Sequence, residues 1–156
     1  IYGYWPEPGE RPPAPLRPCL RLVSRLTGVK VVPEGFGVGY GRTFVTQQQS
    51  TLGLVPIGYA DGYLRSLSNR GVMTLRAESG HPIHVPVVGR VSMDQTIVDL
   101  TGVPSPRCGE PVVVIDDDPE APNSVAALAV RMNTIAYEVT CGLGRRVQRV
   151  AVDRAF

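Results

Sequence analysis

Lysine is nearly absent from this chain. Of its 16 basic residues 15 are arginine, and only Lys30 carries a side-chain amine, so chemistry that needs a Schiff-base lysine has one candidate. Cysteine is scarce too. Cys19, Cys108 and Cys141 are odd in number, widely spaced and form no C-x-x-C, which fits reduced cytosolic thiols better than a disulfide framework or a zinc site. No apolar run approaches the roughly 18 to 20 residues of a membrane span. The formal net charge of +2 is too small to point to a nucleic-acid or membrane partner. Familiar site motifs are missing as well. Gly35, Gly37, Gly39 and Gly41 are spaced by two, so they form no G-x-G-x-x-G, and neither G-x-x-x-x-G-K nor G-x-S-x-G occurs. His81 and His84 lack a carboxylate partner in sequence and read as surface or strand-edge imidazoles. Asp116-Asp117-Asp118-Pro119 reads as a solvated loop, because no converging ligands accompany it.

What the chain does contain is valine. With 156 residues, 43% of them hydrophobic and 19% charged, it has the size and balance of one folded domain. Its 23 valines against 12 leucines favour pleated, half-buried surfaces. Residues 1–18, rich in proline, read as an extended linker, and residues 19–156 as a β domain. The chain opens on Ile1 with no leader pattern after it, which suggests a piece cut from a longer chain. Alternation predicts a strand from Leu20 through Val32, then strands at Gly37–Thr46, Thr51–Tyr59, Val72–Arg76, Ile83–Val91, Gln95–Leu100 and Val112–Ile115. Ser124 is placed to cap a well-buried helix, Val125–Met132, and Asn133 to cap a second helical stretch through Leu143. Arg145–Val152 alternates as a last strand. The expected fold is mainly β: a closed or nearly closed barrel with one or two short helices late in the chain.

Four segments carry polar or aromatic groups to strand ends. If residues 36–44 form one strand, Phe36, Val38, Tyr40, Arg42 and Phe44 share a face and three glycines occupy the other. Such a bare face suits close approach of a ligand or backbone, or else a barrel corner with Tyr40 as packing. The other segments are Val55–Arg65, with Gly58-Tyr59-Ala60-Asp61-Gly62-Tyr63 at its centre, Val88–Asp94, and Thr134–Glu138. Each is weak alone, since polar strand ends also occur as ordinary rims.

Together and in this order they resemble the C-terminal domain of the alanine racemase family. The matching strings are Val38-Gly39-Tyr40-Gly41-Arg42-Thr43-Phe44, Pro56-Ile57-Gly58-Tyr59-Ala60-Asp61-Gly62-Tyr63, Val88-Gly89-Arg90-Val91-Ser92-Met93-Asp94-Gln95 and Tyr137-Glu138. In its commonest form the first string has Ser where this chain has Gly39. The resemblance implies a cytoplasmic isomerase that uses pyridoxal phosphate (PLP) to interconvert L- and D-alanine for peptidoglycan precursors. It implies a homodimer in which an N-terminal PLP barrel precedes this domain, and in which this domain closes the partner's active site. By the same resemblance Tyr40 is one of two opposed bases, the other being the PLP-linked lysine of the barrel. The Met93 N–H holds the substrate carboxylate, and Tyr137 contacts the PLP phosphate. Tyr59 and Arg65 line the corridor by which substrate enters, and Arg90 and Asp94 line the site near the substrate.

Removing a Cα proton from one face and returning one to the other requires two groups astride a planar carbanion, and PLP is the electron sink. A cation beside the phenol favours its ionised form, and Arg42 or Arg90 is placed to supply it. Lys30, in a valine-rich strand, reads as a solvent-facing structural lysine, so this chain alone is expected neither to racemise nor to hold PLP firmly. Two rivals stand beside this reading: a racemase of serine or broader specificity, and a non-catalytic dimerisation module. An exposed aromatic patch is also expected, made of Tyr2, Tyr4, Trp5, Tyr59 and Tyr63.

Overall fold

Nine short strands and two late helices make up the computed structural model, which describes residues 3–4, 16–76 and 80–152. One antiparallel sheet contains β1 (Leu22–Arg25), β9 (Pro111–Ile115), β6 (Val72–Arg76) and β7 (Pro82–Pro86), in that spatial order. A second contains β2 (Gly28–Val32), β5 (Ser50–Val55) and β8 (Thr96–Asp99). A two-residue ladder joins β3 (Gly37–Val38) to β4 (Phe44–Val45). A single bridge, Val87 to Val98, links the chain just past β7 to β8. The mainly β expectation therefore holds. The strands nevertheless divide into three sheets, none of which closes into a barrel among the described residues.

The alternation from Leu20 to Val32 is not one strand, because the chain changes sheets midway. The Leu26 N–H donates to the Glu110 carbonyl at 2.9 Å, whereas the Thr27 N–H donates to Leu54 at 2.8 Å. Leu26 itself is buried in the main core with Val55, Met73, Val98, Leu100 and Val112. Side chains of this size each contribute about 1.5–3 kcal/mol when fully buried. Lys30 is exposed on β2, its Nζ 5.6 Å from the centroid of the Phe36 ring.

The first helix, α1 (Val125–Met132), starts as its sequence predicts, with Ser124 Oγ accepting the Ala127 N–H at 3.2 Å. It is amphipathic rather than buried on most sides: Val125, Leu128 and Ala129 are buried, while Val130 is exposed. Asn133 does not cap a second helix. It ends α1 in the left-handed conformation, and α2 (Ala136–Cys141) begins after Ile135. Arg145–Val152 forms no strand. The chain turns at residues 145–147, and the Arg149 guanidinium donates back to the carbonyls of Leu143 (3.0 Å) and Val147 (3.2 Å).

Other expectations also change. Asp116 is buried and its N–H donates to the Asn123 carbonyl at 3.0 Å, while Asp117 lies 3.7 Å from Arg21, so the acidic run is partly built into the fold. Tyr4 and Tyr63 are buried and contribute nothing to an exposed patch; Tyr2 and Trp5 lie outside the described residues. The Tyr63 phenol is packed against Gly71 and makes no hydrogen bond among the described residues. Its burial raises its pKa, with Arg131 opposing in part. Of the proposed linker only residues 3–4 and 16–18 are described, and Tyr4 belongs to the main core. No helix among the described residues is long and apolar enough to cross a membrane.

Candidate functional site

Tyr40 sits at the tip of the β3–β4 hairpin, in a 3-10 turn (Tyr40–Arg42), and not in the continuous strand expected for residues 36–44. The reason is backbone conformation. Gly39 (φ 67°), Gly41 (φ 71°) and Arg42 (φ 46°) turn the chain through the left-handed region, where glycine carries no steric cost. The glycines thus make a turn rather than a bare strand face, and Tyr40 is left 72% exposed. The Arg42 side chain lies over Gly37, where a Cβ would overlap its guanidinium. The Arg90 guanidinium comes within 3.8 Å of where a Cβ on Gly41 would be.

Asn69, which the sequence analysis did not single out, holds the hairpin in place. Its Oδ1 accepts the Gly89 N–H at 2.6 Å, and its Nδ2 donates to Thr43 Oγ1 at 3.2 Å. The hairpin is thereby tied to the segment leading to Met93. The Val91 N–H donates to Ser68 Oγ at 3.0 Å, which joins that segment to the 3-10 turn Arg65–Leu67; Arg65 is exposed there.

Met93 and Asp94 form the tip of a turn that Ser92 and Gln95 close. The Ser92 N–H and Oγ both donate to the Gln95 carbonyl, at 3.0 and 2.8 Å, and the Gln95 N–H returns to Ser92 Oγ at 3.1 Å. Residues 58–63 pack against this turn. The Tyr59 N–H donates to Ser92 and the Ala60 N–H to Met93, both at 3.0 Å, and the approach is close enough that a Cβ on Gly58 would overlap the Ser92 and Met93 carbonyls. Met93 is 53% exposed, and its N–H makes no hydrogen bond among the described residues. Tyr59 is exposed as well.

An ion cluster, also unforeseen, joins three segments here. Arg146 Nη2 lies 2.8 Å from Asp94 Oδ1 and 2.9 Å from Asp61 Oδ1, and Nε donates to Asp61 Oδ1 at 3.1 Å. Asp61 Oδ2 accepts the Gly58 N–H at 2.9 Å, and its carbonyl accepts the Gly144 N–H at 2.8 Å. The hydrogen bond to Asp94, with both carboxylates nearby, raises the Arg146 pKa. Tyr137, exposed on α2, joins this surface only through its helix, whose end packs backbone to backbone against Gly62. A cleft of about 670 Å³ also reaches Asp61 and Arg146, but none of the eight predicted site residues lines it.

Tyr40, Arg42, Arg90, Met93, Asp94, Tyr59 and Arg65 therefore stand on exposed or half-buried positions of segments joined to one another by hydrogen bonds. Together these features define a β-rich domain with late helices whose linked loops carry an exposed phenol, exposed arginines and an unengaged backbone N–H. The chain belongs to the alanine racemase C-terminal domain family, whose sequence model matches residues 19–151. It is 43% identical over 153 residues to the alanine racemase of Desulfovibrio desulfuricans, covering 98% of this chain and 39% of that protein. The alanine racemase structure from Streptomyces coelicolor superposes with a TM-score of 0.87 at 39% identity, covering 98% of this chain and 39% of that one. An alanine racemase from Bartonella henselae, solved with covalently bound pyridoxal phosphate, superposes with a TM-score of 0.83 at 34% identity, covering 97% and 39%. The chain thus spans about two fifths of the length of the curated relatives it matches.

Covalent attachment of PLP needs a side-chain amine, and this chain has one. The one side-chain amine, Lys30, lies on β2 beside Phe36. Phe36 sits at the base of the hairpin, where its N–H bonds Thr46 Oγ1 at 2.9 Å, whereas Tyr40 is at the tip.

Proposed function

We propose that this chain is the C-terminal domain of a PLP-dependent alanine racemase that supplies D-alanine for cell-wall precursors. In this reading an N-terminal barrel holds the cofactor and the enzyme is a homodimer, with the linked loops described above closing the partner subunit's site. PLP, when bound there, supplies the electron sink that makes the alanine Cα proton removable. Tyr40 Oη carries the proton on one face of that carbon. The Met93 N–H receives the substrate carboxylate. Arg90 and Asp94 line the substrate's polar side, with Arg42 beside them in the Tyr40 hairpin. Tyr59 and Arg65 line the approach, and Tyr137 meets the cofactor phosphate.

The observation that carries this reading is the coupling of the two principal contacts. Asn69 bridges the Tyr40 hairpin to the segment that ends in the free N–H of Met93. A solvent-exposed phenol and an unengaged backbone donor on segments held by one tether suit proton transfer to a bound amino acid better than packing does.

The test is Tyr40→Phe in the full-length enzyme, which removes the proton carrier with little change in volume. Racemisation should fall by about a hundredfold or more. Cofactor binding and dimerisation should survive, and solvent deuterium should enter one enantiomer preferentially. An unchanged rate overturns the catalytic reading and favours a dimerisation module. Turnover of D-alanine against D-serine decides the side chain accepted, since a single hydroxyl changes selectivity only modestly in such a pocket.

A further inference from the structure

Arg146 makes no proposed contact with substrate, yet it is where three distant parts of the chain meet. Its guanidinium is shared between Asp94, at the tip of the Met93 turn, and Asp61, in the turn that carries Tyr59. We propose that Arg146 is a positioning residue: by clamping Asp94 to Asp61 it fixes the direction of the Met93 N–H and so sets how tightly a carboxylate is held. This rests on the reading of Met93 given above.

The geometry favours a positioning role over a simple surface ion pair. A lone exposed pair contributes little, because solvent screens it and both side chains lose freedom. Here one planar group meets two carboxylates, and one of these is itself held by backbone. Asp61 Oδ2 accepts the Gly58 N–H at 2.9 Å, and the Asp61 carbonyl accepts the Gly144 N–H at 2.8 Å, so Asp61 is a fixed post. Asp94 is not. It stands at an exposed tip, and Arg146 Nη2 gives its carboxylate one charge-assisted hydrogen bond. Met93 is the residue immediately before it, and the peptide that bears the free Met93 N–H meets the Met93–Asp94 peptide at the Met93 Cα, so a swing of Asp94 is passed through that carbon to the donor. The guanidinium fork spans both carboxylates, whereas a lysine ammonium is a point charge on a flexible stem.

The experiment is steady-state kinetics of Arg146→Ala in the full-length enzyme. The KM for alanine should rise about tenfold while kcat changes less than about threefold, as expected when a carboxylate contact is displaced without loss of the proton carrier. Inhibition by propionate, the carboxylate of alanine without its amine, should weaken in parallel. Arg146→Lys should recover part of the loss. Asp94→Asn should raise KM similarly, and the double variant should be no worse than the worse single one. Should Arg146→Ala fail to fold, Arg146→Gln carries the same KM and propionate test.

Unchanged KM and propionate inhibition overturn the proposal, and so does a fall in kcat at constant KM. Tyr40→Phe on the same enzyme separates the failures. A full rate in Tyr40→Phe overturns the underlying reading, whereas a lost rate there beside an unaltered KM in Arg146→Ala overturns the clamp alone.

Discussion

The tip that carries Tyr40 is held by two ladder pairs and by Asn69, with two glycines and an arginine in left-handed conformations around it. The tip that carries Met93 is closed on itself by three hydrogen bonds, joined to residues 59 and 60 by two more and clamped through Asp94 to Arg146. Both tips present exposed groups, but they are restrained to very different degrees. The Tyr40 hairpin is anchored at its base by buried Val38, but its tip is an exposed turn with few ties, whereas the Met93 turn is bonded on both sides, so the Tyr40 tip is expected to open more readily. A donor that must match a carboxylate gains from a rigid frame. A phenol that must exchange protons tolerates a looser one.

The hardest way to break this contrast is at Gly58. Gly58→Ala drives a methyl into the Ser92 and Met93 carbonyls and should lower stability by about 3 kcal/mol, read as a lower denaturant midpoint, together with a raised KM. Asn69→Ala attacks the other side. It leaves the Gly89 N–H without its partner at a cost of about 2 kcal/mol, and it should lower kcat more than it raises KM, because the Met93 turn keeps the bonds of Ser92, Gln95, Tyr59 and Ala60.

Tyr63→Phe tests the support under the Met93 side, where the Tyr63 N–H donates to the Gly58 carbonyl at 3.1 Å. Its buried hydroxyl has no partner among the described residues, so its removal should stabilise by about 1 kcal/mol at neutral pH. The sign with pH follows from burial. Below about pH 10 the phenol is neutral folded and unfolded, and above it the unfolded chain ionises first, so wild-type stability falls as pH rises. Tyr63→Phe should lose that alkaline decline in a pH series of denaturant midpoints. Lys30→Met, at the base of the hairpin, should do least. Its contact with Phe36 is exposed and worth about 0.5 kcal/mol, and neither kcat nor bound cofactor should change.

Much of this architecture was legible where a local rule acts alone. Ser124 before an apolar run marked the start of α1, and the wealth of valine marked a β fold. Alternation misled wherever the partner mattered more than the pattern. Residues 36–44 alternate, but glycine permits positive φ as readily as extended backbone, and the chain turns there. Residues 145–152 alternate as well, but they turn at 145–147 and Arg149 bonds back to the carbonyls of Leu143 and Val147 instead of a neighbouring strand. The polar strand ends that suggested a rim do lie on connected segments. The residues that connect them, Asn69 and Arg146, escaped because each acts on groups far away in sequence, and a single arginine among 15 carries no local mark of that role.

The pairing of Asp61 with Arg146 spans 85 residues, and that separation bears on the order of assembly. Contacts so distant form only after the intervening chain has collapsed, since loop closure must precede them. During synthesis, residues 58–63 leave the ribosome long before residue 146, so the Met93 tip waits without its clamp until the last turn of the described chain emerges. A nascent chain stalled short of Arg146 is therefore expected to hold its sheets but lack this link.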